Sequence, residues 1–378
     1  MILKSLTLFQ FRNIAHLDWE PHPRANLLVG ANAQGKTNLL EALFFLGTSK
    51  PLRPGADPQD LLMQGKAEGL VRARIEREHP ALSRDLEAQL RRDAPKRFLL
   101  NSKKLSPLSK LLGQLPVVLF TPDDLDLVKA GPAARRLYLD LEISQASPQY
   151  LADLQRFQRA LKQRNGALRL VADGQASWDA VEAFDEAVVL PGAAVIHFRL
   201  QALAELAPLA AEAQARIAGA REEKLQLGYI STLTDLRAPE HALPMDLEAL
   251  QHQFRLRLRE RAREERARSS TLVGPHRDDL ELLLNGQKAR LYASQGQQRS
   301  TALALKLAEV QFLSQRLQEP PILLLDDVLS ELDLKRQAQL LGLLDEKVQT
   351  FVTSTHADGL AYKPGVVMTV ENGELKKA

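Results

Sequence analysis

Gly30-Ala-Asn-Ala-Gln-Gly35-Lys36-Thr37 has the residue types and spacing that wrap a polypeptide backbone around phosphate groups. The glycines of G-x-x-x-x-G-K-[ST] let the main chain approach an anion closely and turn free N–H groups towards it. Lys36 has the reach and charge for the β and γ oxygens of a nucleoside triphosphate, and the Thr37 hydroxyl is a ligand for Mg²⁺. Asn32 and Asn38, inside and just after the loop, are further expected nucleotide contacts. Near the other end of the chain, Ile322-Leu-Leu-Leu-Asp326-Asp327 sets a run of aliphatics before a pair of acids. A strand buried on both faces reads this way and delivers its last carboxylates to the edge of a parallel sheet. There Asp326 would hold the Mg²⁺ shell and Asp327 would polarise an attacking water. Taken by itself, the segment could instead be an ordinary strand-to-turn transition, the weaker of the two readings.

A third constellation, Ser294-Gln-Gly296-Gln297-Gln-Arg299, precedes an apolar-periodic stretch from Ser300 to Leu317. Serine and glycine at a helix N-terminus suit a phosphate, and they also suit a plain N-cap. The segment resembles the signature of ABC ATPases, with glutamine in place of the first glycine. In those proteins the signature closes over the γ-phosphate held by a second subunit, so Ser294, Gly296 and Gln297 would act in trans. Ser330-Glu-Leu-Asp333, directly after the acids, looks like the D-loop of that class, and His356 looks like its switch histidine. Arg12 and Asn13 stand where related proteins keep residues near the nucleotide. A surface arginine is the competing reading for Arg12.

The elements needed to hold these groups can be read from periodicity. Ile2 to Phe11 alternates at period two, and Asn26 to Val29 is a short apolar run ending at a glycine, as a strand does before a phosphate loop. Asn38 to Leu46 is apolar around most of its circumference, which predicts a buried helix. Gly69 to Asn101 returns to alternating stretches and predicts a small antiparallel sheet. From Pro132 to Arg268 apolar residues recur at three- and four-residue spacing. Tyr150, Leu154, Phe157, Leu161 and Leu168 form one stripe, and Leu250, Phe254, Leu256 and Leu258 form another. Pro191, Pro208, Gly228, Pro239 and Pro244 divide this region, so short helices or hairpins are expected and a long coiled coil is not. The expected fold is α/β: an ABC-type P-loop ATPase head built from both chain ends, residues 1–131 and 269–378, with a mainly helical inserted domain, 132–268, as a short arm.

Composition bounds the rest. The 378 residues are 45% hydrophobic, enough for one large or two ordinary cores. A net charge of +3 conceals 50 basic and 47 acidic side chains, so patches of either sign are possible. The absence of cysteine excludes disulfides and thiolate metal sites and fits a reducing cytoplasm. The first segment lacks the apolar core of a signal peptide, and no stretch reads as the roughly 18 to 20 uncharged apolar residues of a membrane span. Basic groupings occur at Lys103, Lys104 and Lys110, at Arg135 and Arg136, and from Arg255 to Arg263, the last interleaved with glutamates as a solvated helix face would be.

In order along the chain, FRN at Phe11–Asn13, GANAQGKTNLLEAL, FTPDDLDLVKAGPAARRLYLD from Phe120, QRN at Gln163–Asn165, TLVGPHRDDL at Thr271–Leu280, SQGQQRS and LLLDDVLSELD closely resemble the RecF family. The resemblance implies a cytoplasmic, ATP-dependent homodimer with Mg²⁺ that binds duplex DNA near single-strand gaps and hydrolyses ATP slowly. It also implies action with RecO and RecR to load RecA. The competing function is an ATPase subunit that gates a separate nuclease or other DNA-processing partner.

Overall fold

The computed structural model describes residues 1–52, 57–78, 81–107, 110–219, 222–234, 246–329, 337, 342, 348–356 and 364–377. The chain packs as two compact units: Met1–Leu125, Arg216–Ala220 and Ala302–Ala378 form one, Asp126–Ala215 and Arg221–Thr301 the other.

The first unit opens with β1 (Ile2–Phe11), β2 (Ile14–Trp19), β3 (Ala25–Val29) and α1 (Lys36–Thr48). It continues through β4 (Glu68–Glu78), β5 (Ala81–Arg91), β6 (Ala94–Leu100), β7 (Lys103–Lys104) and β8 (Val117–Phe120). The alternation in β1 buries Leu6 and Leu8 on one face, and a register shift between Leu3 and Ser5 lets Leu3 join them. Helix α1 buries Leu39, Leu40, Leu43, Phe45 and Leu46 and ends on Ser49, whose left-handed backbone returns its N–H to Phe45 O.

The second unit follows with α2 (Asp126–Lys129), α3 (Pro132–Ala146), α4 (Pro148–Ala172), α5 (Asp179–Glu182) and α6 (Asp185–Ala218), whose last residues belong to the first unit. Then come β9 (Leu225–Ile230), α7 (Leu247–Arg268), β10 (Asp279–Leu284), β11 (Gln287–Lys288), α8 (Ala289–Tyr292) and α9 (Gln295–Leu317), which the first unit shares from Ala302 on. Residues up to Thr301 pack here because β10 pairs antiparallel with β9. Phe157, Val188, Val189, Ile196, Leu250, Phe254 and Val273 form its core. Both predicted stripes are buried, except that Leu256 is 42% exposed and Leu161 only partly covered. Leu250, Phe254 and Leu258 follow one another at four-residue spacing, and Leu256 falls on the opposite face.

Short helices were expected between the prolines, but α6 runs for 34 residues through both Pro191 and Pro208. Each internal proline costs about 3 kcal/mol, and burial of Val188, Val189, Val195, Ile196 and Leu206 along the same helix offsets that cost. By length and composition this helix is long and apolar enough to cross a membrane, although Arg199 and Glu205 interrupt its uncharged run, and half of its apolar window is buried inside the structure. Gly228 lies in β9, while Pro239 and Pro244 fall outside the described residues.

The chain then completes the first unit with β12 (Ile322–Asp326), β13 (Thr350–Ser354), β14 (Val366–Glu371) and β15 (Glu374–Lys377). Strands from both chain ends interleave in one six-stranded sheet of order β15-β14-β3-β13-β12-β8, parallel from β14 to β8. The other six-stranded sheet, β2-β1-β4-β5-β6-β7, is antiparallel. Leu3, Leu8, Val71 and Leu86 of this sheet share a core with α1 and with Leu28, Leu324 and Phe351 of the parallel one. The result is a mixed α/β fold with a central helical region.

Candidate functional site

The parallel register decides what meets at the C-terminal edge of the sheet. Asp326 pairs with Thr353, and Ser354 pairs with Val29, so the ends of β12, β13 and β3 lie side by side. The loop from Gly30 to Gly35 then carries the chain from β3 into the N-terminus of α1.

The loop conformation requires its glycines. A Cβ on Gly30 would lie 2.4 Å from Val370 O. Gly35 has φ +111°, and a Cβ there would lie 2.7 Å from Asn13 Oδ1. Asn13 is the clamp on this turn. Its Nδ2 donates to Gln34 O at 3.1 Å, and its Oδ1 accepts from Asn38 Nδ2 at 2.8 Å. Gln34 is held from the opposite side by the turn between β14 and β15, where Gly373 N donates to Gln34 O and Asn372 N to Gln34 Oε1.

Lys36 is buried and folds its ammonium back onto the loop, donating to Gly30 O at 2.6 Å and Ala31 O at 2.9 Å. Burial lowers its pKa, and the nearby Asp327 and Asp326 carboxylates oppose that shift. Thr37 Oγ1 donates to Asp326 Oδ1 at 2.9 Å, and Thr353 Oγ1 donates to the same oxygen at 2.8 Å. Burial raises the Asp326 pKa, while the two hydroxyls and Lys36 oppose the rise. Asp327 has φ +53° and directs its N–H to Thr353 Oγ1 at 2.9 Å. Thr353 thus aligns both acids, which periodicity could not reveal; only its register opposite Asp326 does.

The site fits the groups its sequence implies. A glycine-walled loop at a helix N-terminus is an anion cradle, and a hydroxyl and a carboxylate in hydrogen-bond contact are hard oxygen donors of the kind Mg²⁺ takes. Asn32 is exposed on the loop. His356 is exposed, donates its backbone N–H to Ser354 Oγ at 3.2 Å, and follows the strand neighbouring β3. Arg12 forms a bidentate pair with Glu41 of α1, at 2.8 and 2.9 Å, and its Nη1 donates to Asp60 O. Ser330–Asp333, the expected D-loop, lies outside the described residues.

In the second unit Ser294 is exposed and caps α9 reciprocally: Gln297 N donates to Ser294 Oγ at 3.3 Å, and Ser294 N donates to Gln297 Oε1 at 2.9 Å. Gln297 Nε2 also reaches Glu223 Oε1 at 3.3 Å, and Gly296 O accepts from Ser300 Oγ. The segment is therefore an N-cap with an exposed serine hydroxyl.

Residues 2–373 match the family described as RecF/RecN/SMC N terminal domain. The DNA replication and repair protein RecF of Symbiobacterium thermophilum is 42% identical over 363 residues, covering 95% of this chain and 93% of that protein. RecF of a Synechococcus species (strain JA-2-3B'a(2-13)) is 39% identical over 384 residues, covering 99% and 97%. A solved structure of the recombination mediator protein RecF with ATP, of the RecFOR pathway, superposes with a TM-score of 0.90 at 31% identity, covering 100% of this chain and 97% of that one.

Proposed function

The chain belongs to the RecF family, within the RecF/RecN/SMC N terminal domain proteins, and from that membership we propose that it is an ATP-dependent DNA-binding recombination mediator. The observation that carries the reading is the contact between Thr37 and Asp326 beneath the phosphate loop, which brings the two expected magnesium ligands together from opposite ends of the chain.

In this reading Gly30, Asn32, Gly35 and Asn38 cradle the nucleotide. Lys36 moves its ammonium from the Gly30 and Ala31 carbonyls to the β and γ oxygens. Thr37 and Asp326 hold Mg²⁺, which when bound supplies counter-charge to the phosphate oxygens. Asp327 polarises the attacking water, and His356 senses the γ-phosphate. Arg12 acts through Glu41, steadying the first turns of α1. Ser294, Gly296 and Gln297 of one copy close over the nucleotide of a second copy, so ATP binding clamps a homodimer and slow hydrolysis lets it part. A solved relative is described as a mediator of the RecFOR pathway. By that kinship the clamp works in the cytoplasm on duplex DNA near single-strand gaps, with RecO and RecR and upstream of RecA.

The test is duplex binding by fluorescence anisotropy with and without Mg-ATP, with mass followed by light scattering, for the unaltered chain and for Ser294→Arg. ATP-dependent binding and dimerisation, both lost in the variant, are expected. A variant that dimerises normally refutes the signature's action in trans.

A further inference from the structure

The stretch from residue 91 to residue 110 holds seven lysines and arginines against Asp93 alone, so it is net +6 where the whole chain is +3. Its described residues form the end of β5 at Arg91, then β6, β7 and the turns between them, at the edge of the antiparallel sheet in the first unit.

The structure separates its committed cations from its free ones. Lys96 lies over the Phe45 ring at 5.3 Å and donates to Ser49 O. Further into the sheet, Arg72 pairs with Glu87 and Arg74 with Asp85. Arg91, Arg97, Lys103 and Lys104 are exposed, and among the described residues none of them has a carboxylate within ion-pair distance. Phe98 is buried, so Arg97 and Leu99 project from the opposite face of β6. Lys104 pairs across from Leu99 and therefore shares that outer face with Arg97, while Lys103 stands at the tip of the hairpin. The tip is held firmly: Asn101 and Ser102 have positive φ, and Asn101 exchanges 2.8 and 2.9 Å bonds with the backbone of Asp85 through its N–H and Oδ1.

The other basic groupings are mostly committed to partners within the fold or interleaved with acids. Arg135 is buried and bidentate to Asp279, and Arg136 donates to Asp278 O. On α7, Arg255, Arg257 and Arg261 pair with Glu186, Glu260 and Glu264, while Arg259 and Arg263 are exposed and alternate along the helix with Glu260 and Glu264, so their charge is diluted by neighbouring acids.

We infer that the outer face of the β5–β6–β7 edge and the tip of the β6–β7 hairpin, through Arg91 at the end of β5 and Arg97, Lys103 and Lys104, form the surface on which this chain takes the phosphate backbone of duplex DNA. The inference rests on the DNA-binding reading above. Unpaired cations held on a rigid sheet edge gain most from phosphate, because no internal ion pair must first be broken and bound counterions are released. Phe98, the aromatic residue of this hairpin, is buried, which leaves no ring for stacking an unpaired base and favours a duplex. Contacts of this kind fix the position of the protein on DNA without reading sequence.

The experiment measures affinity for a fluorescein-labelled duplex in Mg-ATP across a salt series. It compares the unaltered chain, Arg97→Ala/Lys103→Ala/Lys104→Ala, and the charge-conserving Lys103→Arg/Lys104→Arg. Arg255→Ala/Arg261→Ala serves as a control on the paired arm, and binding of a fluorescent ATP analogue and thermal melting report folding. The triple variant should bind ATP normally, lose at least about tenfold in duplex affinity, and show a log–log salt slope shallower by about 0.9 for each phosphate it no longer neutralises. The charge-conserving and arm variants should match the unaltered chain. Should the triple variant misfold, Lys104→Ala alone should still flatten the slope by about 0.9, the share of a single phosphate. Duplex binding by the unaltered chain together with an unchanged slope in a folded hairpin variant overturns this surface and leaves the function standing. No duplex binding by the unaltered chain overturns both.

Discussion

Thr37 Oγ1 donates to Asp326 Oδ1 at 2.9 Å, joining the first turn of α1, just after the phosphate loop, to the last residue of β12. Burial raises the Asp326 pKa even with Thr37, Thr353 and Lys36 opposing. A carboxylic acid raised in the fold holds its proton more tightly there than when unfolded. Its ionisation therefore costs stability as pH rises from the unfolded value towards the folded one, and a bound divalent cation relieves the cost. Asp326→Asn keeps a carbonyl oxygen for both hydroxyls and removes the charge. The nucleotide-free variant should melt at a higher temperature than the unaltered chain near neutral pH and lose the stabilisation that Mg-ATP confers. Scanning calorimetry with and without Mg-ATP decides the point, and an unchanged or lowered melting temperature of the nucleotide-free variant would refute it.

Thr353 accepts from Asp327 N and donates to Asp326 Oδ1, and is 1% exposed. Thr353→Val preserves shape while leaving a backbone N–H without its acceptor, at a cost of about 1–3 kcal/mol. Urea unfolding should show that loss. ATP hydrolysis should fall more than ATP binding, since both acids lose their alignment. Equal losses in the two would mean that Thr353 only stabilises the sheet.

The contiguous motifs were legible because their chemistry lies in adjacent positions: a glycine loop announces its turns, and four aliphatics before two acids announce a buried strand. The supports around them were not. Asn13, Gln34, Asn372 and Gly373 meet only because the sheet order sets β14 beside β3, and no periodicity encodes that order. Pro191 and Pro208 misled for a related reason, since local propensity cannot report how much aliphatic surface a helix will bury. The Thr271–Leu280 segment had no role in sequence terms. In the fold, Thr271 bonds Asn165 and Arg164, Asp278 gathers Tyr229, Ser231 and Thr232, and Asp279 pairs with Arg135.

Arg164 is 1% exposed and divides its guanidinium among Asp185, Glu265 and Thr271. Glu265 is fully buried, and burial raises its pKa against the pull of Arg164. Arg164→Leu strands that carboxylate and should cost about 3–5 kcal/mol. Arg164→Leu/Glu265→Leu should recover a large part of the loss, because the charge left without a partner is gone. A double variant as unstable as the single one would show that packing, and not the stranded charge, sets the cost.

His276 lies beside Phe157, with ring centres 5.6 Å apart, and its Nε2 meets Thr271 O at 3.1 Å, which makes Nε2 the protonated nitrogen of a neutral ring. Burial drives its pKa down to about 4 from 6.5. The Thr271 carbonyl opposes that fall, and the charges of Arg277, Arg136 and Arg199 reinforce it. A histidine depressed in this way binds its proton in the unfolded chain first. The stability it lends is complete above the unfolded value and drains away as pH falls from 6.5 towards about 4. His276→Gln retains an N–H donor without a titrating ring. The stability difference between the unaltered chain and this variant should be constant above about pH 7.5 and shrink steadily by about pH 4.5. Urea titrations at both pH values measure it. A difference that does not change with pH would mean that the imidazole takes up its proton equally in the folded and unfolded chain, and that burial of this ring does not hold it neutral.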